Sequence, residues 1–312
     1  MVPDAPRPGR ALWGTLLIGL GLAAAPAIFG MFSRAPAGGE MIADFEPYMR
    51  TSTLDSFGAD LDRIEAAHRE VAGLAPGTAP DAVADFVRRW PAIYDEMASM
   101  LSTIEANGAR FDGLVALPPF WLFPGFFVGP GLMILAVSVW ALRTPSPRRR
   151  LATAVLAVLG LSVVAAPAVF QMFTRAPGGA AMINDFRPLM TASSIGEIQK
   201  SFLVIAGAEG GLRNELLSRP EAATTLPATA QFVEQWPRIA AEMAPMIGAM
   251  ADNLDNFAAV DALPPFWLFP WFFVLPGLLV TALALTARPR SPSRAAAVSL
   301  PAGAPAFERS SS

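Results

Sequence analysis

The sequence predicts an all-α membrane protein: four transmembrane helices in two tandem parallel repeats, each with an external amphipathic helical hairpin, the two hairpins forming a pseudo-two-fold helical bundle. Three observations predict it. Four long windows carry no charge, much of the chain is written twice, and the charged stretches between windows show helical apolar spacing.

The charge-free windows lie between Arg10 and Arg34, Asp112 and Arg143, Arg150 and Arg175, and Asp261 and Arg288. Each exceeds the roughly 20 apolar residues that cross a bilayer as a helix. Composition agrees: 53% of the 312 residues are hydrophobic and 16% charged, against roughly 25% charged in soluble domains. The expected spans are 11–32, 117–142, 151–173 and 263–287. A cleaved signal peptide shares the basic-then-apolar layout of the first window. However, the third window ends mid-chain in the same APAxFxMF phrase, where no signal peptidase acts.

Charge sets the orientation. The N-terminal 1–10 segment carries Arg7 and Arg10, the 144–150 connection carries Arg148, Arg149 and Arg150, and the 288–312 tail carries Arg288, Arg290, Arg294 and Arg309. All three fall on one side of a four-span protein. Because basic connections stay inside, that side is cytoplasmic. The connections 33–116 and 174–262 then lie outside the cell membrane, and the Pro/Ala/Ser-rich tail is expected to be disordered. Residues rich in Ala, Pro and Arg, with Lys200 the only lysine, suggest a GC-rich bacterial source.

Residues 25–53 align with 166–194 without a gap, and 17 of the 29 positions are identical. A second block, FVxxWPxIxxEMxxM, occurs at 86–100 and 232–246, and an aromatic phrase follows it as LPPFWLFPGFFVGPG at 117–131 and LPPFWLFPWFFVLPG at 263–277. Two spans per copy give both copies the same topology, hence a pseudo-two-fold axis along the membrane normal. Repeat one covers 11–143 and repeat two 151–287, with the second copy longer near 217–228.

Within the external segments, Phe86, Trp90, Ile93, Met97, Met100 and Ile104 fall at three-and-four spacing, and Phe232, Trp236, Ile239, Met243, Met246 and Met250 repeat it. Pro91 and Pro237 should kink these helices or mark their start. Earlier helices run from Leu54 and from Ile195, with Ser52 or Thr53, and Ser193 or Ser194, as expected caps. One hairpin alone leaves its apolar stripe wet, and two facing hairpins bury both.

Candidate binding residues come from the matched polar and aromatic positions. Arg34 and Arg175 match just outside spans one and three, as do Asp44 and Asp185. Each arginine either pairs with its nearby aspartate or snorkels, or the two grip anionic headgroups. Trp121, Phe123, Trp267 and Phe269 mark an interfacial belt or an aromatic-walled cleft that holds a lipid tail.

Chemistry is sparse. The chain has no cysteine, and its only histidine, His68, has no counterpart and reads as a helix-surface residue. The matched Glu96 and Glu242 lack a nucleophile beside them. Methionines at helical spacing read as core filler rather than Cu(I) ligands. No span contains an ionisable residue, which disfavours a coupled carrier. The expectation is a non-enzymatic accessory or binding protein of the bacterial cell envelope, with no cofactor, no metal and no nucleic acid. Its partners would be the lipid bilayer, a bound lipid, and a membrane-protein partner or a second copy. The alternatives are a sensor or scaffold subunit, or the membrane subunit of a transport complex energised by another chain docked at the 144–150 loop.

Overall fold

A computed structural model describes residues 8–74, 79–218 and 221–288. All regular elements among them are helical. In chain order they are α1 (Pro8–Ile28), α2 (Met31–Phe45), α3 (Thr51–Ala72), α4 (Asp81–Val115), α5 (Phe123–Arg143), α6 (Ser146–Val169), α7 (Met172–Phe186), α8 (Ala192–Gly211), α9 (Ala222–Thr225), α10 (Pro227–Asp252), α11 (Leu254–Asp261) and α12 (Phe269–Thr286). The tail expected to be disordered lies outside the described residues from 289 onward, as do residues 1–7.

Among the described residues, four helical stretches are long and apolar enough to cross a membrane: Gly9–Ile28, Phe120–Arg143, Arg148–Val169 and Phe266–Thr286. The chain is a multi-pass membrane protein. The spans pack as two tight pairs, α1 with α5 and α6 with α12, joined more lightly where α1 meets α12 and α5 meets α6. Glycine makes the tight pairs possible. A Cβ on Gly131 would lie 2.6 Å from the Ala23 nitrogen and 2.8 Å from the Gly19 carbonyl oxygen, and one on Gly277 would lie 2.7 Å from the Gly160 oxygen. Without a hydrophobic drive between helices in lipid, such backbone-to-backbone packing is what holds spans together. In α1–α5 a buried hydrogen bond of 2.8 Å between Thr15 Oγ1 and Ser138 Oγ adds to it.

The first span stops at Ile28 rather than 32. Gly30 takes a left-handed conformation, φ 63°, and α2 then starts in a new direction. Gln171 does the same between α6 and α7 at φ 53°. The apolar MF of the repeated phrase continues the hydropathy past the turn, so sequence alone runs the span too far. A side chain in this conformation costs about 1 kcal/mol. Gln171→Gly is therefore expected to raise unfolding free energy by about 0.5–1 kcal/mol, and Gly30→Ala to lower it by a similar amount, both read from thermal unfolding in detergent.

Outside the spans, α3, α4, α8 and α10 surround one apolar core that holds Phe57, Ile64, Phe86, Trp90, Ile205, Phe232 and Ile239. The prolines expected to kink the long helices do not interrupt them. Pro91 sits inside α4 and Pro237 inside α10. A mid-helix proline leaves the carbonyl four residues back without its donor. Both are supplied from a neighbouring helix: His68 Nε2 reaches the Val87 oxygen at 3.3 Å, and Arg213 Nη2 donates to the Val233 oxygen at 2.8 Å. His68 is thus half-buried against Phe86 and Trp90, not a surface residue. The cap of α8 is Thr191, which accepts from the Ser194 amide, rather than Ser193 or Ser194, and α3 has no side-chain cap. The start of α10 is capped from another helix, because Glu70 accepts from the Ala228 and Thr229 amides at 2.9 and 2.8 Å. A carboxylate there also meets the positive end of the helix dipole.

Shoulder helices connect the two bundles. α2 packs on α11, and α7 packs on the end of α4. A Cβ on Gly38 would come within 3.2 Å of Val260, and one on Gly179 within 3.2 Å of Leu114. Each shoulder therefore leans on the chain that leads into the other pair's span.

Candidate functional site

The expected pairing of Arg34 with Asp44, and of Arg175 with Asp185, does not form. Arg34 Nη1 donates to the Phe29 oxygen at 3.1 Å and to the Ala262 oxygen at 3.0 Å, and Arg175 Nη1 donates to the Ala116 oxygen at 3.0 Å. Ala262 ends α11 and Ala116 ends α4. Each arginine thus holds the exposed carbonyl end of a helix from the opposite half, where its charge suits the dipole. The aspartates face buried asparagines instead. Asn253 Nδ2 donates to Asp44 at 2.9 Å, and Asn107 Nδ2 donates to Asp185 at 3.2 Å. Arg110 adds an ion pair to Asp185 at 2.8 Å, and Arg187 pairs with Asp261 at 2.6 Å. These residues act as clamps between shoulder helices and bundle.

Of the aromatic candidates, Trp121 and Trp267 are 66% and 54% exposed and lie outside the walls of the cavity that Phe123 and Phe269 line. They sit on the short 3₁₀ turns Phe120–Leu122 and Phe266–Leu268 that open the second and fourth spans. Phe123 and Phe269 are buried. They line a wholly apolar cavity of about 50 Å³ with Phe120, Phe266, Met31 and Met172, where the spans meet the shoulders.

A second apolar cavity, about 70 Å³, lies in the extramembrane bundle. Its walls are Met41 with Met182, Phe45 with Phe186, Met49 with Met190, Met100 with Met246, and Phe111 with Phe257. Every one of these pairs occupies equal places in the two copies of the sequence. A third, about 20 Å³, adjoins it, and Met100, Ile104 and Met246 line both. Phe111, Leu114 and Met182 pack as a cluster between the first cavity and the second. Apolar voids thus occur both at the span ends and in the extramembrane core. The sequence signalled the methionines as filler but carried no hint that they leave space.

The matched glutamates do not form a site. Glu96 is exposed, whereas Glu242 accepts from Arg238 at 2.9 Å and from Ser56 at 3.0 Å. Asp60, fully buried, receives Arg63 at 2.5 Å and also pairs with Arg238. The Arg238 hydrogen bond, with help from Ser56, holds the Glu242 carboxyl below its usual range, and Asp60 with Glu242 raises the Arg238 guanidinium. At Glu65 burial pushes upward, but hydrogen bonds from Arg69 and Trp90 and the charges of His68 and Arg69 outweigh it, leaving this carboxyl lowered. A carboxyl with a lowered folded-state pKa contributes stability above its unfolded value of 4.5, and loses it as pH falls through the folded value. The melting temperature of the extramembrane bundle is expected to be level down to about pH 5 and to fall below it. Glu65→Gln with Glu242→Gln should flatten that fall in an acid titration followed by circular dichroism.

Among the described residues no cluster of three or more His, Asp or Glu side chains gathers as a metal site. No family model matches the chain, and comparison with curated proteins returns no match.

Proposed function

We propose that the protein is a non-enzymatic binding protein of the bacterial cell envelope. In this reading the two copies are parallel repeats about a pseudo-two-fold axis, with both termini cytoplasmic and the α3–α4–α8–α10 bundle outside. Its ligand is an apolar chain, such as a lipid tail, held in the Met- and Phe-walled cavities along the axis. The supporting observation is the presence of wholly apolar cavities at the ends of the spans and in the extramembrane core. Methionine walls suit an unbranched, variable guest, because three rotatable bonds let each side chain shift. Native cores leave few voids larger than a water molecule, and apolar voids stay dry and accept apolar guests.

Mass spectrometry of protein extracted in native lipid discs tests the reading. One apolar molecule per chain is expected, and Ile104→Phe, which fills two of the axial cavities, should reduce it at least tenfold. A stoichiometric protein partner with no retained lipid would overturn the reading in favour of a scaffold or transport subunit. Orientation is tested separately. The chain has no cysteine, so Glu105→Cys should react with a membrane-impermeant maleimide on intact cells while Pro145→Cys does not.

A further inference from the structure

Two more cavities lie between the span pairs rather than on the axis. One, about 170 Å³, is lined by Gly21, Leu22, Phe29, Phe127, Phe272 and Pro276, between α1 and α12. The other, about 120 Å³, is lined by Ser162, Val163, Phe170, Phe273, Phe126 and Pro130, between α6 and α5. Residue for residue these walls occupy equal places in the two copies. Each wall includes a tilted phenylalanine pair in contact, Phe29 with Phe272 at 5.8 Å and Phe126 with Phe170 at 5.1 Å. Each also adjoins the cavity at the span ends, sharing the wall residues Met31 and Phe269 on one side and Met172 on the other.

An arginine follows the wall phenylalanine of each crevice in the chain, Arg34 after Phe29 and Arg175 after Phe170. Arg34 bonds the carbonyls of Phe29 and Ala262, so it touches a wall residue on one side and lies beside the other wall at Pro264. Arg175 stands five residues after the wall residue Phe170, beyond the left-handed turn at Gln171, and bonds Ala116. Neither guanidinium has a carboxylate within 4.0 Å among the described residues, and neither Nε nor Nη2 makes a hydrogen bond there. Each therefore offers uncommitted charged donors a few residues along the chain from the wall of an apolar slot set among membrane-spanning helices. That combination fits an amphiphile with an alkyl chain and an anionic phosphate, since guanidinium donors match phosphate oxygens.

We propose that each crevice holds one acyl chain of an anionic phospholipid, with its phosphate on Arg34 in the first and on Arg175 in the second, giving two lipids per protein chain. This rests on the reading of the protein as a membrane lipid binder, but not on the axial cavity being filled. The crevices supply the side access through which a chain passes from the bilayer to the axis.

The test is native mass spectrometry of the full chain in non-ionic detergent, titrated with dioleoylphosphatidylglycerol or dioleoylphosphatidylcholine. Two molecules of the anionic lipid are expected to bind, with the zwitterionic lipid roughly tenfold weaker. Gly21→Phe and Ser162→Phe each fill one crevice and should each remove one molecule. A Cβ at Gly21 meets nothing within 4 Å, so that variant is expected to fold. Arg34→Gln and Arg175→Gln should each abolish the preference for the anionic lipid at one site, and the lysine variants should keep it, with circular dichroism melting as the check on folding. Folded crevice-filling variants that still hold two lipids would overturn the proposal, as would equal affinity for the two lipids. Millimolar inorganic phosphate that erases the preference would overturn it too, because the arginines would then serve free phosphate. Ile104→Phe should leave both crevice lipids bound. If it removes the axial molecule while the crevice variants change nothing, the axial reading stands and this one falls.

Discussion

Gly277→Leu is expected to separate α12 from α6 and leave the protein aggregated on extraction, whereas Gly129→Leu in α5 is silent. At Gly277 a Cβ would already lie 2.7 Å from the Gly160 carbonyl oxygen and 2.8 Å from Val164, and real Cβ atoms essentially never come so close to backbone. The helices must move apart along their whole contact to admit any side chain. Overpacking of this kind costs about 1–3 kcal/mol for a methylene or two, and a leucine is larger. In lipid the loss is not offset by burying apolar area elsewhere, because lipid tails are as apolar as the side chain. Gly129, by contrast, is exposed, and a Cβ there would meet nothing within 4 Å, so a leucine at this position faces lipid. Gly131→Leu should repeat the defect in α1–α5, where the Ala23 nitrogen lies 2.6 Å away. Size-exclusion profiles and melting temperatures in one detergent compare the three. A monodisperse, normally melting Gly277→Leu would show that the α6–α12 contact is not what holds the spans.

Asp60→Ala is expected to cost about 3 kcal/mol, with the damage confined to one seam of the extramembrane bundle. The carboxylate is fully buried and binds two arginines, Arg63 of its own helix and Arg238 of α10. Removing it leaves two guanidiniums facing each other across a gap with only Glu242 to share. Both arginines reach solvent, which places the loss at the low end of the range for breaking a buried pair. The equivalent places at the α4–α8 seam hold Ser201 and Ala92, so no such network exists there. Hydrogen exchange should therefore quicken in α3 and α10 and not in α4 and α8. Arg238→Ala with Asp60→Ala should cost less than the sum of the two singly, since each single change strands the other's charge. Additive costs, or exchange that quickens evenly over all four helices, would refute the assignment.

The spans were legible because charge is excluded from lipid, and a window without Asp, Glu or Arg is a one-dimensional signal. The helices of the extramembrane bundle were legible from apolar spacing, as Phe86, Trp90, Ile93 and Met97 show. Partners were not. Arg34 sits ten residues from Asp44 in the sequence, and proximity along the chain suggested an ion pair. Instead it binds the nearby Phe29 carbonyl and that of Ala262, which is brought near only by folding. Turns set by one backbone angle were hidden for a similar reason. Gly30 hints at a left-handed turn, but its counterpart is Gln171, which does not. Phe29 and Phe170 stood in the repeated phrase, yet their value as crevice walls depends on which helix lies opposite. His68 looked unmatched by residue type. Its counterpart by role is Arg213, and only the two proline-freed carbonyls reveal that equivalence.

The unlike pair His68 and Arg213 shows what a single chain permits. Two identical subunits around an axis must carry the same residue on both sides, so a change that helps one seam is forced on the other. One chain carrying both copies is released from that rule. An imidazole can serve one carbonyl while a guanidinium serves the other, and the Asp60–Arg238 network can exist once. Within one chain the two halves are free to differ, and the surroundings of Arg34 need not match those of Arg175.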